Sequence, residues 1–230
     1  MEKSEGLQNL IQQKVRSPRS AAFAGILYSL LFSTSAILLG TGAIIDPAEI
    51  GTSWLEARSV EASVVLTLVS FAGISFLWFT GVIRDRLGGS EDKFFSTIFF
   101  GSGIILVVMM FIWAAAYGAI IGTYRVTAGF LNDLDVFVYA SQFSNQIIGN
   151  YFLRMAAVYM LSIGSLWTRT RTMPRWLSIL TFIVAVLFLV LAGQLRWIRF
   201  IFPAWVLLVS VYVLILNYRH NQDVKGNTIT

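Results

Sequence analysis

Cysteine is absent from the 230 residues, and histidine occurs once, as His220 in the polar C-terminal tail. The first absence excludes disulfides, thiolate nucleophiles and cysteine-bearing metal sites. The second excludes bis-histidine haem, histidine-rich metal centres and histidine-driven hydrolysis within an apolar segment. Charge is scarce as well: 13% of the residues are Asp, Glu, Lys or Arg, against 57% hydrophobic. Mean hydropathy is +0.73. A soluble domain cannot cover its surface with so little charge, so the chain belongs in a bilayer.

Further absences narrow the chemistry. No pair of carboxylates falls inside an apolar stretch, which excludes an intramembrane aspartyl mechanism and a carboxylate proton relay. Met109-Met110 is the one adjacent methionine pair, and it reads as apolar filler rather than a copper site. Gly164-Ser165 lacks the flanking pattern and the base of an intramembrane serine protease. The chain therefore reads as non-enzymatic, with no metal, no cofactor and no catalytic residues.

What remains is a series of long apolar runs. A bilayer core about 30 Å thick needs roughly 20 apolar residues per helix. Six runs meet or approach that length, at about 21–45, 62–83, 94–120, 147–167, 176–192 and 200–216. The expected fold is an all-α, polytopic six-helix transmembrane bundle over residues 21–217. Residues 1–20 precede it as a basic segment, and 218–230 follow as a polar tail. Leu7, Leu10, Ile11 and Val15 are spaced for one apolar face, so the first segment is an interfacial helix or a disordered tail. Ser53 and Glu56 repeat a capping pattern, which predicts that the second helix begins near Ser53, ahead of its apolar part. Small residues recur every four at Ala21, Gly25, Ser29 and Ser33, and again at Ala114, Gly118 and Gly122. Those faces predict close helix approach. Spans one to four are expected to form the close-packed part, with the aliphatic fifth span at the lipid edge.

Between spans two and three lies Arg84-Asp85-Arg86-Leu87-Gly88-Gly89-Ser90-Glu91-Asp92-Lys93. Its double glycine lacks the lysine spacing of a phosphate loop and reads as a tight turn, with Gly88 or Gly89 ending one helix and Ser90 capping the next. The run from Ile83 to Phe95, followed by Gly101-Ser102-Gly103, resembles a pattern in uncharacterised bacterial multi-span membrane proteins. The resemblance covers spans two and three. It implies a bacterial inner-membrane setting and no particular activity.

The basic residues set the orientation. With the N-terminus inside, twelve of the seventeen Lys and Arg fall in inner segments and four outside, namely Arg58, Arg125, Arg196 and Arg199. That bias predicts both termini in the cytoplasm. Trp167 and Trp176 would then mark the inner interface, and Trp54 and Trp197 the outer one. Once the charges are placed, the net charge of +5 reads as topology and not as nucleic-acid binding. The partners expected are the lipid bilayer and either a second copy or another membrane protein.

The seventeenth basic residue is Arg154, inside span four. Gln142, Gln146, Asn150 and Arg154 follow each other every four residues and form one polar stripe. A cation at the centre of a membrane helix costs about 2.5–3.5 kcal/mol on insertion scales, so the guanidinium needs company. Asp46, Glu61, Asp133 and Asp135 lie toward the same side of the membrane and are the candidate partners. Two functions follow. One is a non-catalytic accessory, scaffold or sensor protein with a buried polar cluster around Arg154 in the outer half of the membrane. The other is a small transporter or channel that binds an anionic or amphiphilic ligand along the stripe.

Overall fold

The computed structural model describes residues 18–38, 52–87, 93–126 and 134–226. Every regular element among them is helical. The elements are α1 (Pro18–Leu38), α2 (Thr52–Leu87), α3 (Lys93–Val126), α4 (Leu134–Gln146), a π-helical turn (Ile147–Tyr151), α5 (Phe152–Thr170), α6 (Arg175–Leu191), a 3-10 turn (Arg196–Phe200) and α7 (Ile201–Gly226). Five stretches are long and apolar enough to cross a membrane: Ser20–Leu38, Ser63–Asp85, Lys93–Ala119, Gln142–Thr170 and Trp197–Tyr218. The protein is accordingly an all-helical, multi-pass membrane protein. Helix α6 has 17 residues, about 25 Å at 1.5 Å per residue, and falls just short of that length.

Local sequence explains the ends. Pro18 opens α1 where its missing N–H is not needed, and Pro203 sits in the first turn of α7 for the same reason. Helix α2 starts at Thr52, one residue from the expected Ser53. At 36 residues it is about 54 Å long, well beyond the bilayer core. Helix α5 ends on Arg171 in the left-handed conformation (φ 52°), and Pro174 leads the chain into α6. The Gly88–Ser90 turn and residues 1–17 lie outside the described residues. Of residues 123–141, which the sequence reads as an external connection, α3 takes in those to Val126 and α4 those from Leu134.

Helix α1 packs between α2 and α7, α3 between α2 and α5, and α6 lies against α5. Lipid tails are as apolar as leucine, so burial alone does not drive these helices together; packing and hydrogen bonds do. The core is built of rings. Phe202 of α7 stands at its centre, with centroids 6.2 Å from Tyr28, 5.8 Å from Phe76, 5.7 Å from Phe152, 6.1 Å from Tyr159 and 5.9 Å from Trp205. Each such ring pair contributes roughly 0.5–1.5 kcal/mol beyond its buried area. The close-packed part therefore includes the last helix as well as the first four spans. Small-residue faces point to the first spans, whereas large rings join α7 to the core.

Hydroxyls complete the contacts. Tyr159 Oη and Thr80 Oγ1 are 3.0 Å apart, and Trp205 Nε1 donates to Thr181 Oγ1 at 2.9 Å. Ser29 Oγ lies 2.8 Å from the carbonyl of Pro203, tying α1 to α7. The small face of α3 works in part: Gly118 sits against Leu66 of α2, while Gly122 has open space beside it. Helix α6 buries Leu177, Thr181, Ala185 and Phe188 on one side and exposes Ile179, Ile183, Val186 and Val190 on the other. That two-sided pattern suits a bundle edge.

The bundle has two distinguishable ends. One gathers Ala21, Ile83, Trp167, Met173 and Asn217 and is the Trp167 end. There Arg84 lies 4.6 Å over the ring of Phe100, and Arg169 lies 4.8 Å over Phe95. These cation–π contacts tie α2 and α5 to the start of α3. The other is the Gly193 end, where the turn after α6 meets the π turn.

Candidate functional site

The polar stripe lies at the Gly193 end and is shaped by the π turn. Four residues at 3.6 per turn overshoot a full turn by about 40°, so an i, i+4 stripe drifts around an α-helix. The wider π turn, with its i to i+5 bonding, takes up part of that drift between Gln146 and Tyr151. The side chains form a relay: Arg154 Nη1 donates to Asn150 Oδ1 at 3.3 Å, and Asn150 Nδ2 donates to Gln146 Oε1. The π turn also presents a carbonyl to a neighbour. Gly149 O accepts the backbone N–H of Gly193 at 2.9 Å, which pins the turn after α6 onto the stripe. Gly193 has φ 81°, a conformation open to glycine, and a Cβ there would run into the Asn150 side chain.

The four residues share one face, and that face is on the outside. Gln142, Gln146 and Arg154 are exposed and Asn150 is half-buried. This corrects the expected burial of the cluster. The opposite face of α5 carries Phe152, Ala156, Tyr159, Met160 and Ile163, all buried, and the ring core takes that side. Periodicity shows which residues share a face but not which face points inward. Among the described side chains no carboxylate lies within ion-pair distance of Arg154, whose partner is the Asn150 amide. Of the candidate acids, Asp46 and Asp133 lie outside the described residues. Glu61 falls in α2 and Asp135 in α4, where the backbone alone is described.

Among the described side chains the buried cation is a different one. Arg199, in the 3-10 turn, is 7% exposed, engaged with its neighbours and within electrostatic reach of Tyr117. The distribution of basic residues puts it among the external ones. A signal for its burial exists in the sequence: Arg199, Phe202, Val206, Val209 and Val213 are spaced by three and four, and all five are buried. Arg199 thus stands on the core stripe of α7, one turn before its first ring.

No family model, no curated protein and no solved structure matches this chain. The site must be read from its own chemistry. Among the described residues no group of three or more His, Asp or Glu side chains is placed to hold a metal ion. The stripe offers one guanidinium, two amides joined in a relay to it and a third amide one turn further out. Gln142, Gln146 and Arg154 face away from the bundle, and Asn150 is half-buried against Gly193. A cavity of about 410 Å³ opens at the Trp167 end, and none of the four stripe residues lines it.

Proposed function

We propose that the protein is a non-catalytic component of a bacterial inner membrane, an accessory, scaffold or sensor subunit that binds a membrane partner along Gln142, Gln146, Asn150 and Arg154. In this reading α6 also crosses the bilayer, giving six spans with both termini in the cytoplasm. Its 17 residues reach about 25 Å, a few Å short of the hydrocarbon thickness, and local thinning at modest cost makes up the rest. The twelve-to-four distribution of basic residues supports the orientation.

The observation that carries the proposal is a polar stripe at one end of a membrane-length helix, on the outward face of a bundle whose interior is packed with rings. Arg154 lies four residues, about 6 Å, beyond Asn150 and its Gly193 contact toward the middle of the helix. A guanidinium and amides facing hydrocarbon are costly, and a partner helix that offers a carboxylate and hydrogen-bond acceptors offsets that cost. Conduction or transport along the same four residues draws no support from a stripe on the outside of the bundle.

The test is Arg154→Leu. The substitution removes a charge from an exposed apolar flank, so the bundle should fold unchanged by circular dichroism. Native mass spectrometry of the protein released in mild detergent should show a defined assembly for the parent and the bare 25.7 kDa chain for the variant. An identical assembly in both would exclude the stripe as the docking surface.

A further inference from the structure

Arg171 and Arg175 stand on either side of Pro174 in the turn from α5 to α6, and both are exposed. Among the described side chains neither has a hydrogen bond, an ion pair or a ring to face. Their neighbours Arg84 and Arg169 lie over Phe100 and Phe95 instead. No Asp or Glu occurs between residues 136 and 222, so α5, α6 and α7 as far as Gln222 are without acids. The turn itself is fixed. Thr170 Oγ1 donates to the carbonyl of Leu166 at 2.8 Å, and the Thr172 hydroxyl, 2.9 Å away, donates to Thr170 Oγ1.

Arg171 also holds an unusual backbone. Its φ is 52°, and among the described residues it alone combines a positive φ with a side chain. Gly or Asn ordinarily closes a helix in this way. A long side chain kept in a disfavoured conformation points to a role beyond folding.

The face of α6 that starts at these cations is open. Trp176, Ile179, Ile183, Val186 and Val190 follow one another by three and four, and each is more than half exposed. The Trp176 indole is held in place by the ring of Tyr212, 5.9 Å away. Half of the hydrocarbon core, about 15 Å, reaches from Trp176 to Val186.

We propose that an anionic phospholipid docks here, its phosphate on Arg171 and Arg175 and an acyl chain along Trp176, Ile179 and Ile183. Guanidinium groups match phosphate oxygens in a two-pronged geometry. A zwitterionic head would bring a cation of its own to the same two arginines, so net negative charge on the lipid decides binding. The site lies at the opposite end of the bundle from the docking stripe and does not depend on it.

The purified full chain in mild detergent is titrated with phosphatidylglycerol or with phosphatidylcholine of the same acyl chains, and bound lipids are counted by native mass spectrometry. The parent should hold one phosphatidylglycerol about 5–30-fold more tightly than phosphatidylcholine, at about 5-fold per arginine. Arg171→Gly and Arg175→Gln should each weaken phosphatidylglycerol about 5-fold and leave phosphatidylcholine unchanged. Arg171→Gly should do so with a denaturation midpoint equal to or above that of the parent, because glycine suits the backbone there. Lys93→Gln removes an exposed charge from the same end of the bundle and should leave the bound lipid in place. Equal affinity of the parent for the two lipids overturns the proposal. So does a loss with Lys93→Gln as large as with either arginine, because net charge alone would then be acting. Release of phosphatidylglycerol by millimolar inorganic phosphate would give the arginines to a free anion and would equally overturn it.

Discussion

Gly25 leaves no room for a side chain. A Cβ added there would land on Ser210 Oγ and come within 2.8 Å of the Phe79 ring, so α1, α2 and α7 meet at this one residue. Overpacking of this kind costs about 1–3 kcal/mol. Gly25→Ala should therefore lower the midpoint of denaturation of the purified protein, whereas Ala24→Gly beside it should have a much smaller effect. An unchanged midpoint for Gly25→Ala would mean that α1 does not seat as described. Gly25 was legible in the sequence as part of a small-residue face, because close helix approach needs small residues whatever the partner. The partner itself was not, since nothing in residues 21–33 names α7. Arg154 and Arg199 show the same limit for charge. Both stand in apolar surroundings, and the burial of one and exposure of the other is decided by which face of each helix the ring core occupies.

At the scale of elements, the helices were readable and the joints were not. The apolar runs at 62–83, 94–120 and 176–192 lie within or one residue beyond α2, α3 and α6, because twenty apolar residues in lipid have few options but helix. The first run, 21–45, is described as helix to Leu38. The π turn carries no comparable signature: Ile147-Ile148-Gly149-Asn150-Tyr151 would sit equally well in an α-helix. It owes its place to tertiary contacts, above all the bond from Gly193 N–H to Gly149 O. Gly193→Ala tests that joint. The substitution puts a Cβ at φ 81°, unfavourable by about 1–2 kcal/mol, and drives it into Asn150. Amide exchange at residue 193 and through the π turn should speed up, while exchange in α3 stays as it was. Unaltered protection at the π turn would show that the pin is not what holds it.

At the scale of the whole molecule, the chain arranges its membrane helices around aromatic rings and sets its polar residues at two separate places. The Trp167 end is fastened by cations over rings and holds a cavity of about 410 Å³. The Gly193 end carries the polar stripe on the outside of the bundle. Absence of cysteine makes the span count directly testable, since any thiol introduced is unique. Single cysteines at Thr172 and Tyr218 should react with an impermeant maleimide only from the cytoplasmic side, and one at Gln194 only from outside. Labelling of Thr172 and Gln194 from one side and Tyr218 from the other would remove α6 from the set of spans.

The most direct measurement concerns the stripe itself. Tyr151 is 55% exposed and lies one residue from Asn150 on the same flank. A photo-crosslinking amino acid placed at Tyr151 in intact cells should give a protein adduct of one defined mass. Twice the chain mass would identify a second copy, and any other mass a distinct subunit; in either case the adduct should disappear with Arg154→Leu. Adducts with lipid alone, or an adduct indifferent to Arg154, would contradict the account.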